Sequence, residues 1–536
     1  MRGARGATRP RTAVAPSPAT AQRWLARTMA VAAAGDAAAP RARGAVATPA
    51  WIAERMARTL LAGQPRGATL RVLDAGCGAG RLLVETARAA GARGFRLDCT
   101  GIESDAGTAR AADALAPLVR AAFGGAVVSW RVQHADFLRT PLATRFDLAI
   151  ANPPYVPLRL LDAGTRRRLR AAARPGDDLA AHFVARMLQH LRPGGRLVVI
   201  VPAMLLAAGH AAPLRRALHE EFTLEEVHDL SVGRAFAGVG TYPVILVIQR
   251  AAPAARHEVQ VRDARDRPRS RWRRRDLARM PGHLLPLGFD AAGLALAARL
   301  LAGPCLGDQI HIACGLASSG FGRAIGAGPE RILQSGDVAA LRLRAPSRFD
   351  PMRARIAPAA LERLRVPKVV IPGMFRRLCA AHDARGVLLG RVYFARPADA
   401  GERALLLALL NARLAAVLYR GLFAAVAQSG GYTRCNAPYV MHLPWPERNG
   451  NETELNSLLK ALQRSPTHAA WRRLDTLVEA RFGLDSSETA CVERLARELP
   501  PRPGEDRSGE HAVGERPRTR PAEIIARRLE SVVSSS

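Results

Sequence analysis

The chain has 536 residues, 48% of them hydrophobic, so it can fold as two domains with sizeable cores. Its formal net charge of +33 at pH 7 favours a polyanionic partner, although nearly all of the basic residues are arginine and part of the excess can be compositional bias. No run of about 18 apolar residues occurs, which argues against a membrane span, and the seven cysteines show no metal-ligand spacing, so no metal site is expected.

Residues 1–42 are rich in arginine and alanine and contain no sustained apolar core followed by a cleavage site. This composition argues against a secretory signal. We expect a disordered leader here, or a start codon placed too early.

From residue 43 to residue 250, strand and helix patterns alternate along the chain. Alternation of this kind predicts an α/β fold, a Rossmann-like domain with a mostly parallel seven-stranded sheet and helices on both faces. Ligands of such sheets bind at the carboxyl ends of the strands. The predicted strands are 70–75, 97–102, 126–132, 146–151, 196–202, 224–230 and 242–249, and the predicted helices include 79–91, 105–122 and 178–191.

The first predicted strand runs into a glycine-rich turn, VLDAGCGAGRLL (72–83). Glycines between a strand and a helix let a ligand approach the backbone closely. The spacing disagrees with a dinucleotide site, because G-x-G-x-x-G counted from Gly76 would need a glycine where Arg81 stands. Asp74 beside the turn is a poor neighbour for a pyrophosphate, but it suits S-adenosylmethionine, which carries a sulfonium and an ammonium.

Acidic residues also end the next two strands. Glu103 closes the second strand, where a carboxylate can accept from both hydroxyls of a ribose. Asp136 follows the third strand and can accept from an adenine amino group, while Phe137 can cover the ring. Each acid alone can equally be a helix N-cap or a solvated loop residue. Three acids at three successive strand ends, however, predict a nucleoside cofactor.

The fourth strand ends in NPPY (152–155). Two prolines can simply terminate a strand. The chemistry of an exocyclic amine offers a second interpretation, because its lone pair is delocalised into the ring and two acceptors aimed at its hydrogens would free that lone pair. The side-chain oxygen of Asn152 and the rigid carbonyl of Pro153 predict such a pair, and Tyr155 can stack on the base. Positioning and electrostatics then supply most of the rate, with no strong base or metal.

In this order, the motifs DAGCGAG, GIESD, DFL and NPPY resemble those of the gamma-class, TaqI-like adenine-N6 DNA methyltransferases. Upstream, GAVATPAWIAERMARTL (44–60) is similar to the family's G-x-x-x-T-P cofactor segment. Downstream, GRAFAGVGTYPVILVIQ (233–249) is similar to a segment in which a phenylalanine packs against the flipped adenine. The phenylalanine here is Phe236, which can also be an ordinary core residue.

The resemblance implies a Rossmann-like, S-adenosylmethionine-dependent methyltransferase domain followed by a C-terminal mixed α/β target-recognition domain. It implies that the catalytic residues are Asn152, Pro153, Pro154, Tyr155 and Phe236. It also implies that the cofactor is bound by Thr48, Pro49, Asp74, Ala75, Gly76, Gly78, Gly80, Glu103, Asp136 and Phe137. Asparagine in NPPY favours adenine over N4 of cytosine as the target.

The chain beyond the predicted catalytic domain is divided by composition. We predict a basic linker over 251–285, a second domain over 286–498 that ends in a helical segment, and a disordered tail over 499–536. Several stretches of the second domain resemble pieces of the family's specificity domain more loosely, namely 315–325, 366–377, 405–420, 430–446 and, at its end, 474–488.

The resemblance further implies double-stranded DNA as the partner, with the target base flipped out of the duplex. The arginine runs 166–170 and 271–275 are candidates for phosphate contacts, although each can be solvated charge instead. Neither Lys368 nor Lys460 fits a nuclease or Walker A motif. We therefore interpret the chain as the modification component of a restriction–modification or phage-defence system. A separate restriction endonuclease or other defence subunits are its expected partners, in the cytoplasm of a bacterium or archaeon, near the nucleoid.

Three other functions stay open at this point. Glutamine-N5 methyltransferases that act on release factors share NPPY, because an amide nitrogen poses the same chemical problem, and an RNA adenine methyltransferase would share the catalytic half. Both leave the residues after 250 unexplained. The third alternative is a non-catalytic DNA-binding subunit of a defence complex, against which the intact Asp74, Glu103 and Asn152 speak.

Overall fold

The computed structural model of the protein describes residues 16–38, 47–171, 177–230, 242–316, 321–426, 431–448, 450 and 452–505. The chain divides into two compact units, one ending at Leu285 and the other beginning at Pro286. This division falls where the sequence predicts the start of the second domain.

The first unit is built on a nine-stranded sheet. Its strands are β1 (Thr69–Ala75), β2 (Arg96–Glu103), β3 (Val127–His134), β4 (Phe146–Ala151), β5 (Leu191–Pro202), β6 (Thr223–Asp229), β7 (Pro243–Gln249), β8 (Glu258–Arg262) and β9 (Pro268–Arg273). They lie in the order β3-β2-β1-β4-β5-β7-β6-β8-β9. The five strands from β3 to β5 are parallel, and β7 is antiparallel to both of its neighbours. The predicted Rossmann-like α/β fold is confirmed, with two strands more than the seven predicted.

Helices cover both faces of this sheet. They are α1 (Pro18–Ala38), α2 (Ala50–Leu60), α3 (Arg81–Gly91), α4 (Ala106–Asp113), α5 (Ala116–Phe123), α6 (Ala163–Arg170), α7 (Leu179–His190), α8 (Ala212–Glu220) and α9 (Arg274–Leu277). The stretch predicted as one helix over 105–122 is divided into α4 and α5, because Pro117 in the first turn of α5 cannot continue the preceding helix. The central strands are apolar throughout because both of their faces are buried, as in β4, where Leu148, Ala149 and Ile150 are 0% exposed.

The N-terminal helix α1 is part of the hydrophobic core. Ala21, Leu25 and Met29 recur at helical spacing and are nearly completely buried. The side-chain amide of Gln22 donates to the carbonyl of Ala122 at the C-terminal end of α5. The prediction of a disordered leader over 1–42 was therefore wrong over 18–38, because the apolar stripe lies inside a stretch whose overall composition is typical of disorder.

The segment predicted as a basic linker over 251–285 is folded. Strands β8 and β9 form an antiparallel hairpin, and β8 pairs in parallel with β6, so the hairpin extends the sheet. Val259, Val261 and Trp272 point into the core and are at most 3% exposed, whereas most of the arginines between them face solvent. The linker prediction was wrong because the charge of the arginines obscured the alternation of a half-buried strand.

Arg55 ties α2 to this hairpin. Its guanidinium donates to His228 Nδ1 at 2.9 Å and to the carbonyl oxygens of Asp263 and Ala264 at 3.0 Å, and it pairs with Asp266 at 3.0 Å. Burial lowers the pKa of Arg55, and the carboxylate of Asp266 opposes this shift. The hydrogen bonds compensate the buried charge and fix the position of α2 against the sheet.

The second unit is a mixed α/β body of small sheets and helices, and the predicted fold class of the C-terminal domain is confirmed. Its strands form one four-stranded, one three-stranded and two two-stranded sheets. The strands are β10 (Ile312–Cys314), β11 (Ile325–Leu333), β12 (Val338–Ala339), β13 (Arg342–Leu343), β14 (Ser347–Phe349), β15 (Lys368–Ile371), β16 (Met374–Phe375), β17 (Ala381–Asp383), β18 (Leu388–Leu389), β19 (Tyr393–Ala395) and β20 (Thr433–Arg434). The helices are α10 (Ala291–Leu300), α11 (Leu306–Gln309), α12 (Pro358–Glu362), α13 (Ala400–Asn411), α14 (Arg413–Phe423), α15 (Ala437–Met441), α16 (Glu452–Arg464), α17 (His468–Ala480) and α18 (Ser486–Ala496).

In the described part of the second unit, the buried charged groups pair with partners of opposite charge. Lys368 in β15 is 2.7 Å from Asp383 in β17, and it also donates to the carbonyl oxygens of Leu364 and Val366. Arg502 is buried and contacts Asp475 at 2.6 Å. The prediction of a disordered tail over 499–536 was thus wrong for residues 499–505, and residues 506–536 lie outside the described residues.

In the described parts of the chain, no single helix is long and apolar enough to cross a membrane. The pair formed by Ala400–Asn411 and Arg413–Val426 reaches the required length and composition only when the two are taken together, and the pair is bent by 59°.

Candidate active site

The predicted site residues converge on one edge of the first sheet. Strand β1 lies between β2 and β4, and Asp74 in β1 is paired in register with Ile150 in β4. The chain order of neighbouring strands reverses between β1 and β4, and crevices at such a reversal are where α/β sheets bind ligands. The end of β1, with the glycine turn, therefore lies beside the end of β4, with NPPY.

The glycine turn is held against the end of β2. The backbone N–H groups of Gly76 and Cys77 both donate to the carbonyl of Ile102, at 2.8 and 3.1 Å. Gly76, Gly78 and Gly80 have φ values of +72°, +52° and +83°, a region that favours glycine. Gly80 caps the N-terminus of α3 in this conformation. The turn therefore has the defined shape and the bare backbone that the sequence predicts.

Asp74 carries a buried carboxyl group that has no hydrogen-bond partner in the described part of the chain. The residue is 0% exposed, and neither of its carboxyl oxygens has a hydrogen bond among the described residues. Burial raises the pKa of Asp74 well above its usual range, and the nearby charge of Glu103 raises it further. Such a group gains most from a ligand that brings a positive charge, so this side chain fits the sulfonium and ammonium of S-adenosylmethionine.

Glu103 is at the end of β2 and shapes the turn. Its Oε2 accepts from the N–H of Gly78 at 2.9 Å, and its Oε1 accepts from the N–H of Asp105 at 2.9 Å. Oε1 also accepts from the hydroxyl of Ser104 at 3.2 Å, whereas Oε2 can accept a second hydrogen bond, which is compatible with the predicted ribose contact. The carboxylate thus holds the glycine turn and stays capable of binding a ligand.

Asp136 and Phe137 differ in exposure. Asp136 is exposed, and its Oδ1 accepts from the N–H of Leu138 at 2.9 Å. Phe137 is 2% exposed, because Phe183 of α7 packs on its ring with the centroids 5.1 Å apart and Arg186 lies 5.5 Å from its centre. The proposed stacking of Phe137 on an adenine stays a prediction.

The NPPY segment follows β4 directly. Pro153 is buried, Pro154 is half-buried, and in the described part of the chain no backbone N–H is bonded to the carbonyl of Pro153. The hydroxyl of Tyr155 donates to the carbonyl of Ile200 in β5 at 3.2 Å. Burial raises the pKa of Tyr155, so the phenol is neutral and acts as an anchor for its ring.

The chain after NPPY is fastened to the start of α7. The N–H of Leu179 donates to the carbonyl of Val156, and the N–H of Leu158 donates to the carbonyl of Asp177, both at 2.9 Å. These two bonds fix the exit of the active-site segment against a helix. The position of Asn152 and Pro153 is therefore set from both ends, by β4 and by α7.

Thr48 reaches the NPPY segment rather than the glycine turn. Its hydroxyl Oγ1 lies 3.1 Å from Nδ2 of Asn152, which donates to it. Thr48 is 7% exposed and precedes Pro49, the N-cap residue of α2. The structure thus joins a residue from the predicted cofactor segment to the predicted catalytic asparagine, 104 residues later in the chain. Ala75 completes β1 and is 0% exposed, and Phe236 lies outside the described residues.

Sequence reasoning missed two neighbours of the site. Asp178, the N-cap of α7, is 5% exposed, and burial raises its pKa to about 6. The sequence did contain a signal for this residue, because an aspartate directly before an apolar helix is a typical N-cap. Phe183 packs on Phe137 and would contact a side chain added at Gly76, at 3.5 Å. Nothing in the sequence distinguishes Phe183 from an ordinary core residue.

The comparisons with known proteins agree with this geometry. Residues 33–280 match the family model of N-6 DNA methylases. The type II methyltransferase M.XhoI of Xanthomonas vasicola is 39% identical over 141 residues, which are 26% of this chain and 26% of that protein. The type II methyltransferase M.PaeR7I of Pseudomonas aeruginosa is 32% identical over 128 residues, 23% of this chain and 22% of that protein. The chain thus matches about a quarter of the length of these relatives.

Among solved structures, a class I S-adenosylmethionine-dependent methyltransferase of Listeria monocytogenes is similar with a TM-score of 0.37 and 16% identity, over 46% of this chain and 73% of that one. The likeness is low, and the fold assignment here depends on the strand order instead. The narrower TaqI-like class stays a prediction. All of the candidate site residues lie within the segment that matches the family model of N-6 DNA methylases.

Proposed function

We propose that the protein is a site-specific DNA methyltransferase that transfers a methyl group from S-adenosylmethionine to N6 of adenine in double-stranded DNA. One observation carries the proposal. The buried carboxylate of Asp74, which suits the methyl donor, and the Asn152–Pro153 pair, which suits an amine acceptor, end two adjacent parallel strands. Donor and acceptor would therefore meet at one edge of the sheet.

The chain's own residues account for activation of the amine. The side-chain oxygen of Asn152 and the carbonyl of Pro153 would accept the two hydrogens of the adenine amino group and draw its lone pair out of conjugation. Because both acceptors are set by β4 and α7 before the substrate arrives, little reorganisation is needed during reaction. When bound, S-adenosylmethionine supplies an electrophilic methyl group on a sulfonium.

Tyr155 and the cofactor-side residues provide orientation. The hydroxyl of Tyr155 is bonded to Ile200, so its ring is held at the segment where the base would stack. Asp74 would offset the positive charge of the cofactor, and Glu103 would hold its ribose. The glycine turn, which has no side chains in the way, would let the cofactor approach the backbone closely. Positioning of this kind supplies a large part of the rate in group transfer between two bound reactants.

DNA is the substrate that the rest of the chain fits best. A base inside a duplex cannot reach this edge of the sheet, so it would be flipped out. Arg167, Arg168 and Arg170 on α6, which follows the NPPY segment, are exposed and would contact phosphates. The second unit would read flanking sequence, and the chain would act as the modification component beside a separate restriction endonuclease or other defence subunits.

Modified-base sequencing of DNA from a methylation-deficient host that expresses the protein tests this function, beside an Asn152→Ala control. We expect N6-methyladenine at one short motif, absent from the control. Purified protein that binds S-adenosylmethionine but leaves no mark on DNA would contradict the proposal. RNA adenine and a protein glutamine amide are the substrates to examine in that event, and absence of cofactor binding would favour a non-catalytic DNA-binding subunit.

A further inference from the structure

The short strands β16 and β20 of the second unit form a two-stranded antiparallel ribbon. Met374 pairs with Arg434, and Phe375 pairs with Thr433. Successive side chains of a strand point to opposite faces, and here the two faces differ in burial. Phe375 and Thr433 are 6% and 7% exposed, whereas Arg434 is exposed and Met374 is half-buried. The ribbon therefore has an inner face on the core and an outer face toward solvent.

Arg376 and Tyr432 stand one residue further along the two strands, opposite each other in the same register. The guanidinium carbon of Arg376 lies 5.0 Å from the centre of the Tyr432 ring, which is within the range of a cation–π contact. Arg376 is exposed, and Tyr432 is half-buried. A contact with a ring face uses none of the N–H groups of a guanidinium. The tyrosine therefore restrains the arginine and leaves its N–H groups available to a ligand.

The ribbon is fastened to the core of the second unit. The ring of Phe375 packs on that of Tyr419 with the centroids 5.2 Å apart, and the hydroxyl of Tyr419 donates to the carbonyl of Arg434 at 3.0 Å. The N–H of Cys435 donates to the carbonyl of Gly373 at 2.9 Å. Both strands are thus held by contacts outside their own pairing. The outer face is presented from a fixed support, which precise recognition of a ligand requires.

We propose that this ribbon enters the major groove of duplex DNA and that Arg376 reads a guanine there. The outer face carries two arginines, a tyrosine and a methionine and no acidic residue, so its charge is complementary to DNA. The major groove of B-DNA admits a two-stranded ribbon, and arginine bonded to O6 and N7 of guanine is the commonest base-specific contact. Side chains cannot read the deep, narrow major groove of double-stranded RNA. The inference rests on the proposed function and deepens it, because it assigns a base and the residue that reads it.

The test selects preferred duplexes from a random DNA library with the full-length protein, and then measures dissociation constants by fluorescence anisotropy at one salt concentration. Arg376→Ala should bind the selected duplex about 10–100-fold more weakly and accept any base pair at one position where the wild type requires G·C. Arg376→Lys keeps the charge but loses the planar, two-pronged donor. It should lose the preference at the same position and still bind unrelated duplexes within about 2-fold of the wild type.

Tyr432 is the positioning residue for this contact, and two variants separate its ring from its hydroxyl. Tyr432→Phe keeps the ring face and should bind the selected duplex within about 2-fold of the wild type, whereas Tyr432→Leu should bind it about 2–5-fold more weakly. Arg464→Ala is the matched control, because Arg464 is also an exposed arginine of the second unit but lies on α16. It should change neither affinity nor preference. Thermal unfolding should give the wild-type Tm for Arg376→Ala, whose side chain is exposed.

Several outcomes would overturn the inference. Equal weakening of Arg376→Ala on every duplex would make the residue a phosphate contact, and unchanged binding would make it a solvated charge. A wild-type protein that selects no duplex sequence, or that prefers double-stranded RNA, would also contradict it. The selection requires no methyl transfer, so a protein that selects a sequence through Arg376 but leaves no methyl mark would refute the proposed function alone. A methylated motif that Arg376→Ala leaves unchanged would refute the role of Arg376 alone.

Discussion

The ends of β1 and β4 lie side by side at one edge of the sheet, and their polar side chains differ in hydrogen bonding. Asp74 in β1 is completely buried, and among the described residues its carboxylate has no partner. Asn152 after β4 is bonded to Thr48 in the same structure. Asp74 would therefore gain its first hydrogen-bond partner from a ligand, whereas Asn152 is already hydrogen-bonded before a substrate arrives. Cofactor binding and activation of the amine should therefore be separable by mutation.

The largest expected effect comes from the β4 side. Asn152→Ala should lower the methylation rate by about 10²–10³-fold, the usual consequence of removing one preorganised hydrogen-bonding group from a reaction centre. Cofactor affinity should change by less than about 2-fold, because the proposed contact of Asn152 is with the base and not with the cofactor. Single-turnover rates and calorimetric titration measure the two quantities separately. Equal losses in rate and cofactor affinity would contradict the separation.

Substitution at the end of β1 should instead lower the cofactor affinity. Asp74→Asn should weaken binding of S-adenosylmethionine by about 10–100-fold, the range expected when a charge-assisted contact is lost. It should also raise the Tm of the ligand-free protein by about 3 °C, since the substitution removes the cost of burying a carboxyl group whose pKa is raised on folding. Thermal unfolding with and without cofactor checks both expectations. A lower Tm without cofactor would mean that Asp74 stabilises the fold itself.

The pH dependence of cofactor affinity should also distinguish Asp74 from Asn152. The pKa of Asp74 is raised in the folded protein, so above its unfolded value of about 4 the folded state keeps a proton that the unfolded state releases, and stability falls as the pH rises. A cationic ligand prefers the ionised carboxylate, so cofactor affinity should increase with pH, by at most about 10-fold per pH unit. Asp74→Asn should flatten this dependence, whereas Asn152→Ala should leave it unchanged.

The smallest effect is expected from substitutions in α6, outside the two strand ends. Reversing charge with Arg167→Glu and Arg168→Glu in α6 should weaken binding to DNA of any sequence by several-fold and reduce the salt dependence by about one unit of slope per lost phosphate contact. Cofactor affinity should not change. Arg120→Glu on α5, also exposed, serves as the charge-matched control. An unchanged salt slope would remove α6 from the DNA-contacting surface.

Local patterns predicted the sheet well because most of its strands are apolar and the first four end in recognisable motifs. All seven predicted strands are present within a few residues, from β1 to β7. The positions of Asp74, Glu103 and NPPY at strand ends followed from the parallel fold. These features depend on sequence-local signals that the rest of the chain reinforces.

The features that could not be predicted depend on contacts between distant segments. The buried face of α1 becomes apparent only against α5, and the hairpin β8–β9 only against β6. The burial of Phe137 depends on Phe183 of α7, and the hydrogen bond from Asn152 to Thr48 spans 104 residues. Sequence motifs supplied the candidate residues of the site, but not which of them would contact one another.

The hairpin β8–β9 also decides how the sheet ends. Without it, β6 would present unpaired N–H and C=O groups along one side, a template for pairing with another molecule and for aggregation. With it, the outermost strand is β9, where Arg271 and Arg273 are exposed and oppose the approach of a second sheet. A fragment of the first unit cut after β7 would lose this protection together with the acceptors of Arg55, so the smallest stable fragment of this unit should extend to Leu285.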